Sequence, residues 1–249
     1  MDKEIIIPIG VYNAGVSLTE QTNNNLLKIY EWANNNKELL LTYVEIQEKV
    51  LHECNISKSN TRMYTPFLFK NGFVGDYTNG PIYINNYFTD LGKAYLETLA
   101  SIKSAEIIEN SVVLKNLNQS LQDICLLGLI NRRKINEGEM YLDFLKFCYK
   151  YDKINADEFY RMLYEREIGT EEYIDSIEDD IKAYRNGNMS FVIKHERRSG
   201  GQIIVGPMEQ NIFTYTKTFI MQCGIITDAM NGYYKPVENK KGIIEYFTH

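Results

Sequence analysis

The sequence has little that could staple, anchor or export a protein. Its 249 residues include only four cysteines, Cys54, Cys125, Cys148 and Cys223, spread without a CxxC pair, and three histidines, His52, His195 and His249. That spacing argues against a disulfide framework and against a structural zinc site, so reduced and mostly buried thiols are expected. No apolar run approaches the roughly 18 residues a membrane span needs, and the charged Asp2, Lys3 and Glu4 stand where a secretory signal would have a basic start. A cytoplasmic protein without a membrane partner is the expectation. GxxxxGK[ST], GxSxG, HExxH and GxGxxG are all missing, and the turn Gly200-Gly201 lacks the spacing to cradle a phosphate. Asp180-Ile181-Lys182, with Asp157 or Glu158 upstream, has the acid and acid-x-Lys order of metal-dependent nucleases. It lies in a strongly helical, charged stretch and reads as a helix face. No catalytic residue, metal ligand or cofactor is therefore expected in this chain.

What is present is a folded composition with an uneven charge distribution. The chain is 44% hydrophobic and 24% charged, enough for buried cores, and its length suits two modest domains. A net charge of −6 argues against a polyanionic partner until its distribution is followed, since phosphate binding rewards Lys and Arg. Residues 137–187 hold 14 of the 33 acidic groups, whereas the rest of the chain is close to neutral with local basic clusters. The acidic stretch reads as a solvated helical face.

An internal repeat gives the organisation. At an offset of 152 residues, FLFKNGFVGDYTNG (67–80) aligns with FIMQCGIITDAMNG (219–232), with identity at Phe67/Phe219, Gly72/Gly224, Asp76/Asp228, Asn79/Asn231 and Gly80/Gly232. Each glycine follows an apolar helical stretch, where a residue without Cβ ends a helix in the left-handed region. Phe73-Val74 and Ile225-Ile226 predict a strand, Asn-Gly a tight hairpin turn, and PIYINNYF and YYKPVEN the return strands. Asp76 and Asp228 fit turn chemistry. Helices are expected to follow from Asp90-Leu91-Gly92 and from Lys240-Lys241-Gly242.

Two helical patterns precede the first unit, Asn25 to Asn36 and Tyr43 to Leu51, the latter behind a Thr42/Glu45 capping box. A third runs from an N-cap at Ser57 or Ser59 to about Asn71, with Pro66 starting, kinking or splitting a turn. Three helices and a hairpin are the order of a winged helix-turn-helix. The second copy follows helical patterns at Met140–Tyr151, Ala156–Glu165 and Glu171–Arg185, with Leu142, Leu145, Phe147, Phe159, Met162, Leu163, Ile174, Ile177 and Ile181 as core. An insertion, NGNMSFVIKHERRSGGQIIVGP, reads as strand, basic turn and strand. The expected fold is mainly α with small β-hairpins, an α+β class. An N-terminal arm and first winged module occupy 1–103, a helical connector in which Gly128 ends a turn occupies 104–136, and a second winged module with a basic insertion occupies 137–249.

In a winged helix the third helix enters the major groove and the wing lies on the backbone or in the minor groove. Ser59, Asn60, Thr61, Arg62 and Tyr64 are then the exposed reading positions of the first module, with Lys58 and Lys70 near phosphates. Arg62 suits guanine, whose two acceptors match its forked donors. In the second module the helix Met208–Cys223 offers Gln210, Asn211, Tyr215 and Lys217. Lys194, His195, Arg197 and Arg198 form the densest basic cluster, a phosphate clamp or a groove-entering arm.

These modules, with NGFVGDYTNGPIYINNYFTDLGKAYLETL as the most telling stretch, resemble the DNA-recognition regions of FokI-type and AlwI-type (type IIS) restriction endonucleases. The similarity covers residues 24–103 well and 137–249 loosely. In that family recognition comes from such modules and cleavage from a separate metal-dependent nuclease domain, which has no counterpart here. The resemblance implies sequence-specific binding of double-stranded DNA by a recognition portion or specificity subunit, with Mg²⁺ required only where a nuclease domain or subunit is present. Two other readings stand beside it: a dimeric winged-helix transcription or replication regulator, and a protein-interaction scaffold using the acidic segment.

Overall fold

The computed structural model describes residues 1–9, 16–134, 139–169, 172–208 and 211–248. Its elements follow in chain order: β1 (Asp2–Ile7), α1 (Glu20–Asn35), β2 (Leu40–Leu41), α2 (Tyr43–Cys54), α3 (Lys58–Lys70) and β3 (Ile82–Tyr83). Then come the helices α4 (Asp90–Ile107), α5 (Ser111–Lys134), α6 (Glu139–Tyr151), α7 (Ala156–Glu167), α8 (Tyr173–Ser176) and α9 (Glu178–Arg185). The chain closes with β4 (Ser190–Ser199), β5 (Gln202–Pro207), α10 (Ile212–Gln222), β6 (Ile226–Asp228), β7 (Tyr234–Pro236) and α11 (Lys241–Thr248). The protein is mainly helical with small sheets, the α+β class its composition and patterning predict. None of the described helices is long and apolar enough to cross a membrane.

The chain divides into two compact units, one of Gly15–Glu139 with Thr218–Gly224, the other of Met1–Ala14, Met140–Lys217 and Ile225–His249. The first is called the 15–139 unit below and the second the split unit. The boundary placed near Asn136 from sequence lies outside the described residues.

In the 15–139 unit, local signals set the helices. Thr19 caps α1, its hydroxyl accepting from the Thr22 amide at 3.2 Å, so this helix starts five residues before Asn25. The Thr42/Glu45 capping box forms as expected, each side chain meeting the other residue's backbone N–H. Ser57 caps α3, which runs through Pro66 to Lys70 without interruption. At the far end Gly72 takes φ 72°, and the Gly72 and Phe73 amides close the helix on Phe69 and Leu68. The next residues meet the return segment at one antiparallel bridge, Val74 to Phe88, flanked by bonds from Gly75 N to Tyr87 O and Thr89 N to Phe73 O. The strand expected in PIYINNYF is short, and it pairs with β2 through Leu40–Tyr83 and Leu41–Ile82. Leu26, Ile29, Ile46, Val50, Phe67, Leu68, Phe73, Tyr87, Tyr95 and Leu96 form the core, each apolar side chain contributing roughly 1.5–3 kcal/mol by burial. Gly128 ends no turn. It lies inside the single helix α5, where an added Cβ would come within 2.9 Å of the Phe73 ring.

The split unit is built on a three-stranded sheet in the order β1-β4-β5. The N-terminal strand runs parallel to β4, from Asp2 opposite Ser190 to Ile7 opposite His195, and β4 returns antiparallel as β5. The insertion therefore forms a hairpin, but it turns at Gly200 (φ 56°) and Gly201 (φ 82°), and Lys194, Arg197 and Arg198, expected in a basic turn, lie within β4. Phe144, Leu145, Phe147, Phe159, Met162, Leu163, Ile177 and Ile181 are buried, whereas Leu142 and Ile174, also expected inside, are only half-buried. One helix was expected from Glu171 to Arg185. Instead α8 and α9 meet at Ile177, whose φ −99° and ψ 8° break the helix while its side chain turns inward.

The acidic stretch is only partly a solvated face. Asp143, Glu158 and Glu165 are buried and paired: Arg166 binds Asp143 at 2.7 Å, Arg185 binds Glu158 at 2.6 Å and Arg161 binds Glu165 at 2.6 Å. Buried carboxylates persist only when partnered in this way, which consumes three of the segment's arginines.

Candidate nucleic-acid interface

Helix α3 has one buried and one exposed face. Thr61, Tyr64, Thr65 and Leu68 follow the i, i+3, i+4 rule and point inward, leaving Ser59, Arg62 and Met63 on the opposite side. Two expected reading residues are thus corrected. Thr61 is buried with its hydroxyl on the Ser57 carbonyl, and Tyr64 is buried with its hydroxyl accepting from Asn25 Nδ2 at 3.1 Å. Ser59 and Arg62 are exposed and Asn60 is half-buried. Arg62 is held along the helix by a 3.4 Å bond from Nε to the Lys58 carbonyl. Lys58, expected near phosphates, is engaged by Glu48. Lys70 is half-buried. Met63, 52% exposed beside Arg62, was missed because an apolar residue in a helix reads as core; the spacing from Tyr64 and Phe67 was the available signal.

Beside α3 lies the segment that turns at Asp76. Its carboxylate accepts from the Thr78 amide (2.9 Å), the Thr78 hydroxyl (2.6 Å) and Asn79 Nδ2 (2.5 Å), and these bonds hold it below the usual aspartate value. Asp228 closes the second copy's turn through the Met230 amide at 2.6 Å. Both aspartates do turn chemistry, as their sequence context suggests.

In the split unit the basic cluster separates by strand alternation. His195 lies on the covered face of the central strand, buried, with no hydrogen-bond partner on either ring nitrogen among the described residues. It is withdrawn from the candidate surface: it shares its face with the buried Phe191, Ile5 and Ile7, and helix α7 packs on β1 and β4. Lys194 projects from the other face, where Glu4 pairs with it. Arg197 and Arg198 are exposed on opposite faces of the ribbon near its tip, Arg197 lying across Gly206.

On α10, Asn211 is exposed just ahead of the helix, while Tyr215 and Lys217 are half-buried. Lys217 donates to the Tyr234 hydroxyl and sits 4.2 Å from the centre of that ring. Gln210 lies outside the described residues. Thr214, exposed on the same helix, was missed.

The acid-x-Lys triplet is an ion-pair site. Asp180 is bound by Lys3 at 2.5 Å and Arg161 at 2.7 Å; burial works to raise its carboxyl, and those two bonds outweigh it and hold the group below its ordinary value. Lys182 pairs with Glu178, Asp157 accepts from Tyr184, and Glu158 is taken by Arg185. Among the described residues no group of three or more His, Cys, Asp or Glu side chains could hold a metal ion.

No protein-family model, curated protein or solved structure matches this chain.

Proposed function

We propose that this chain binds double-stranded DNA sequence-specifically through two winged-helix modules, with α3 and α10 as their reading helices. The observation that carries this reading is a repeated connectivity. In the 15–139 unit a short strand between α1 and α2 pairs with the return strand of the hairpin that follows α3. In the split unit Ile154, between α6 and α7, bridges Tyr234 in β7, the return strand of the hairpin that follows α10. Each bridging segment is followed at once by a capping box, Thr42/Glu45 on α2 and Asn155/Glu158 on α7. On this reading α6, α7 and α10 are the three helices of the second module, and residues 168–211 are an insertion between the second and third.

Ser59, Arg62 and Met63 then face bases, Asn211, Thr214 and Tyr215 do so in the second module, and Arg197 and Arg198 hold phosphates. The restriction setting comes from the resemblance of NGFVGDYTNGPIYINNYFTDLGKAYLETL to type IIS recognition regions: this chain would supply recognition and another domain or subunit the Mg²⁺-dependent cleavage.

The test is selection of bound sequences from a random duplex pool at moderate salt, with and without Mg²⁺, and inspection of the recovered DNA for cuts. An asymmetric enriched motif without cleavage is expected, because the two reading helices differ. Absence of enrichment even at low salt would overturn DNA binding. Replacing Arg62 by Ala should then relax specificity at one position, by about 1–3 kcal/mol, while replacing Arg197 should weaken all sequences alike and lower the salt slope by about 1.

A further inference from the structure

Strand β5 is an outer strand of a three-stranded sheet, and among the described residues its far edge pairs with no other strand. Edges of this kind are normally blunted by charge, proline or a covering element. Here the stretch reads Gln202-Ile203-Ile204-Val205-Gly206, uncharged and rich in β-branched residues, with Ile203 60% and Val205 49% exposed. Pairing is bounded at both ends. The Gly200-Gly201 turn stops it on one side, and Pro207, which has no N–H, stops it on the other. Ile204 is therefore the midpoint of the edge.

The hairpin's own geometry says which backbone groups are free. A two-residue turn closes on a hydrogen-bonded pair, Ser199 with Gln202, and hydrogen-bonded pairs then alternate along the ladder. Ile204 and Gly206 thus bond inward to β4, while the N–H and C=O of Ile203 and Val205 point away from it. A strand bound here antiparallel, with its midpoint opposite Ile204, meets both residues at hydrogen-bonded positions.

We propose that the occupant is β5 of a second copy of this chain, paired antiparallel about a twofold axis at Ile204 so that two three-stranded sheets become one of six. In this register Ile203 of each copy lies opposite Val205 of the other, giving four backbone hydrogen bonds and a continuous apolar stripe on one face. The flanking charges fit the same axis. Arg198 lies beside Ile203 and Glu196 beside Val205 on β4, so each row across the dimer ends in Arg198 of one copy and Glu196 of the other. One acid and one base flank the edge, and Lys194 on the same face is paired with Glu4, so a second copy of this strand, which brings both charges, fits it better than a strand of one charge sign. The proposal does not rest on the DNA-binding reading.

Sedimentation velocity of the full chain, without DNA, over low to high micromolar concentration tests it. A reversible monomer–dimer equilibrium is expected, and Val205→Pro should weaken it at least tenfold. Proline there removes an outward N–H and leaves the β4 ladder intact, so far-UV circular dichroism and the unfolding midpoint should hold near wild type. Val205→Lys is the second variant, breaking the apolar stripe with an exposed charge and no backbone change. A chain that stays monomeric at every concentration would overturn the proposal, as would dimers unaffected by both variants. DNA selection on Val205→Lys reads the other proposal separately: loss of the dimer with retained base preference separates the two.

Discussion

The hairpin after Gly72 and the hairpin after Gly224 start from aligned residues and finish as different structures. Both leave their helices through a left-handed glycine, at φ 72° and 68°. Both then turn on an aspartate that accepts the amide two residues ahead. Beyond the turn they part. In the second copy Met230, Asn231 and Gly232 all take positive φ and β6 and β7 pair over three residues. In the first, Asn79 is not among the positive-φ residues, the two segments share one bridge, and Ile82–Tyr83 turn to β2. Local sequence governs how a helix ends and where the chain turns. The length of pairing depends on neighbours, here Leu40–Leu41 in one unit and Ile154 in the other.

The largest test of this comparison uses the glycine near the start of the helix that follows each hairpin. Gly92 lies in the first turn of α4 and Gly242 in the first turn of α11. An added Cβ at Gly92 would overlap the Phe73 carbonyl oxygen, a backbone atom, whereas at Gly242 it would meet nothing within 4 Å. Gly92→Ala should therefore cost about 3 kcal/mol or more, since α4 must move off the bridge strand. Gly242→Ala should be neutral or stabilise by about 0.5–1 kcal/mol through helix propensity. Urea unfolding of the two variants reads the contrast, and equal effects would show that the glycines are not packed differently.

That asymmetry marks the limit of what the sequence made legible. The Thr42/Glu45 box, the helix-ending glycines and the Ser199–Gln202 turn are short-range signals and were readable. Pairing of Asp2–Ile7 with Ser190–His195 was not, because a parallel strand partner some 190 residues away leaves no local mark. The same pairing sets His195 beside the buried Ile7 on the sheet face against which α7 packs, so one unreadable contact removed a residue from the candidate site. Thr61 and Tyr64 failed differently. They are polar in type and buried by position, and the helical spacing to Phe67 and Leu68 outweighed their chemistry.

The capping boxes give a second, smaller contrast. Glu45 closes its box in solvent, accepting from the Thr42 amide and hydroxyl, each at 2.7 Å. Glu158 closes its box while buried, with Arg185 Nε at 2.6 Å from one oxygen and the Asn155 amide at 3.2 Å from the other. Removing one partner of a buried pair strands the other, so Glu158→Ala should cost about 3 kcal/mol. Glu45→Ala should lose little beyond the cap bond itself. Replacing Arg185 as well as Glu158 should recover part of the larger loss, and a strictly additive double mutant would deny the coupling.

The smallest expected effect is local and lies at the turn aspartates. Three donors hold the Asp76 carboxylate below its ordinary value of 3.8, with the Thr78 hydroxyl first among them. A carboxyl depressed in the folded state favours the formed turn at pH values above its unfolded value, and that contribution is lost as pH falls through the folded one. The Thr78 amide should therefore exchange slowly near neutrality and lose protection on acidification below about 3.8, in step with the Asp76 carboxyl resonance. Asp76→Asn should abolish that acid-dependent step while leaving the turn in place, because the amide oxygen can still accept from Thr78. At the second turn Asp228 accepts the Met230 amide, and three positive-φ residues hold the loop, so Asp228→Asn should leave the protection of Met230 unchanged over the same acidification. If Met230 loses protection as readily as Thr78, the second hairpin depends on its aspartate as much as the first, and the contrast between a side-chain-held turn and a backbone-held turn fails.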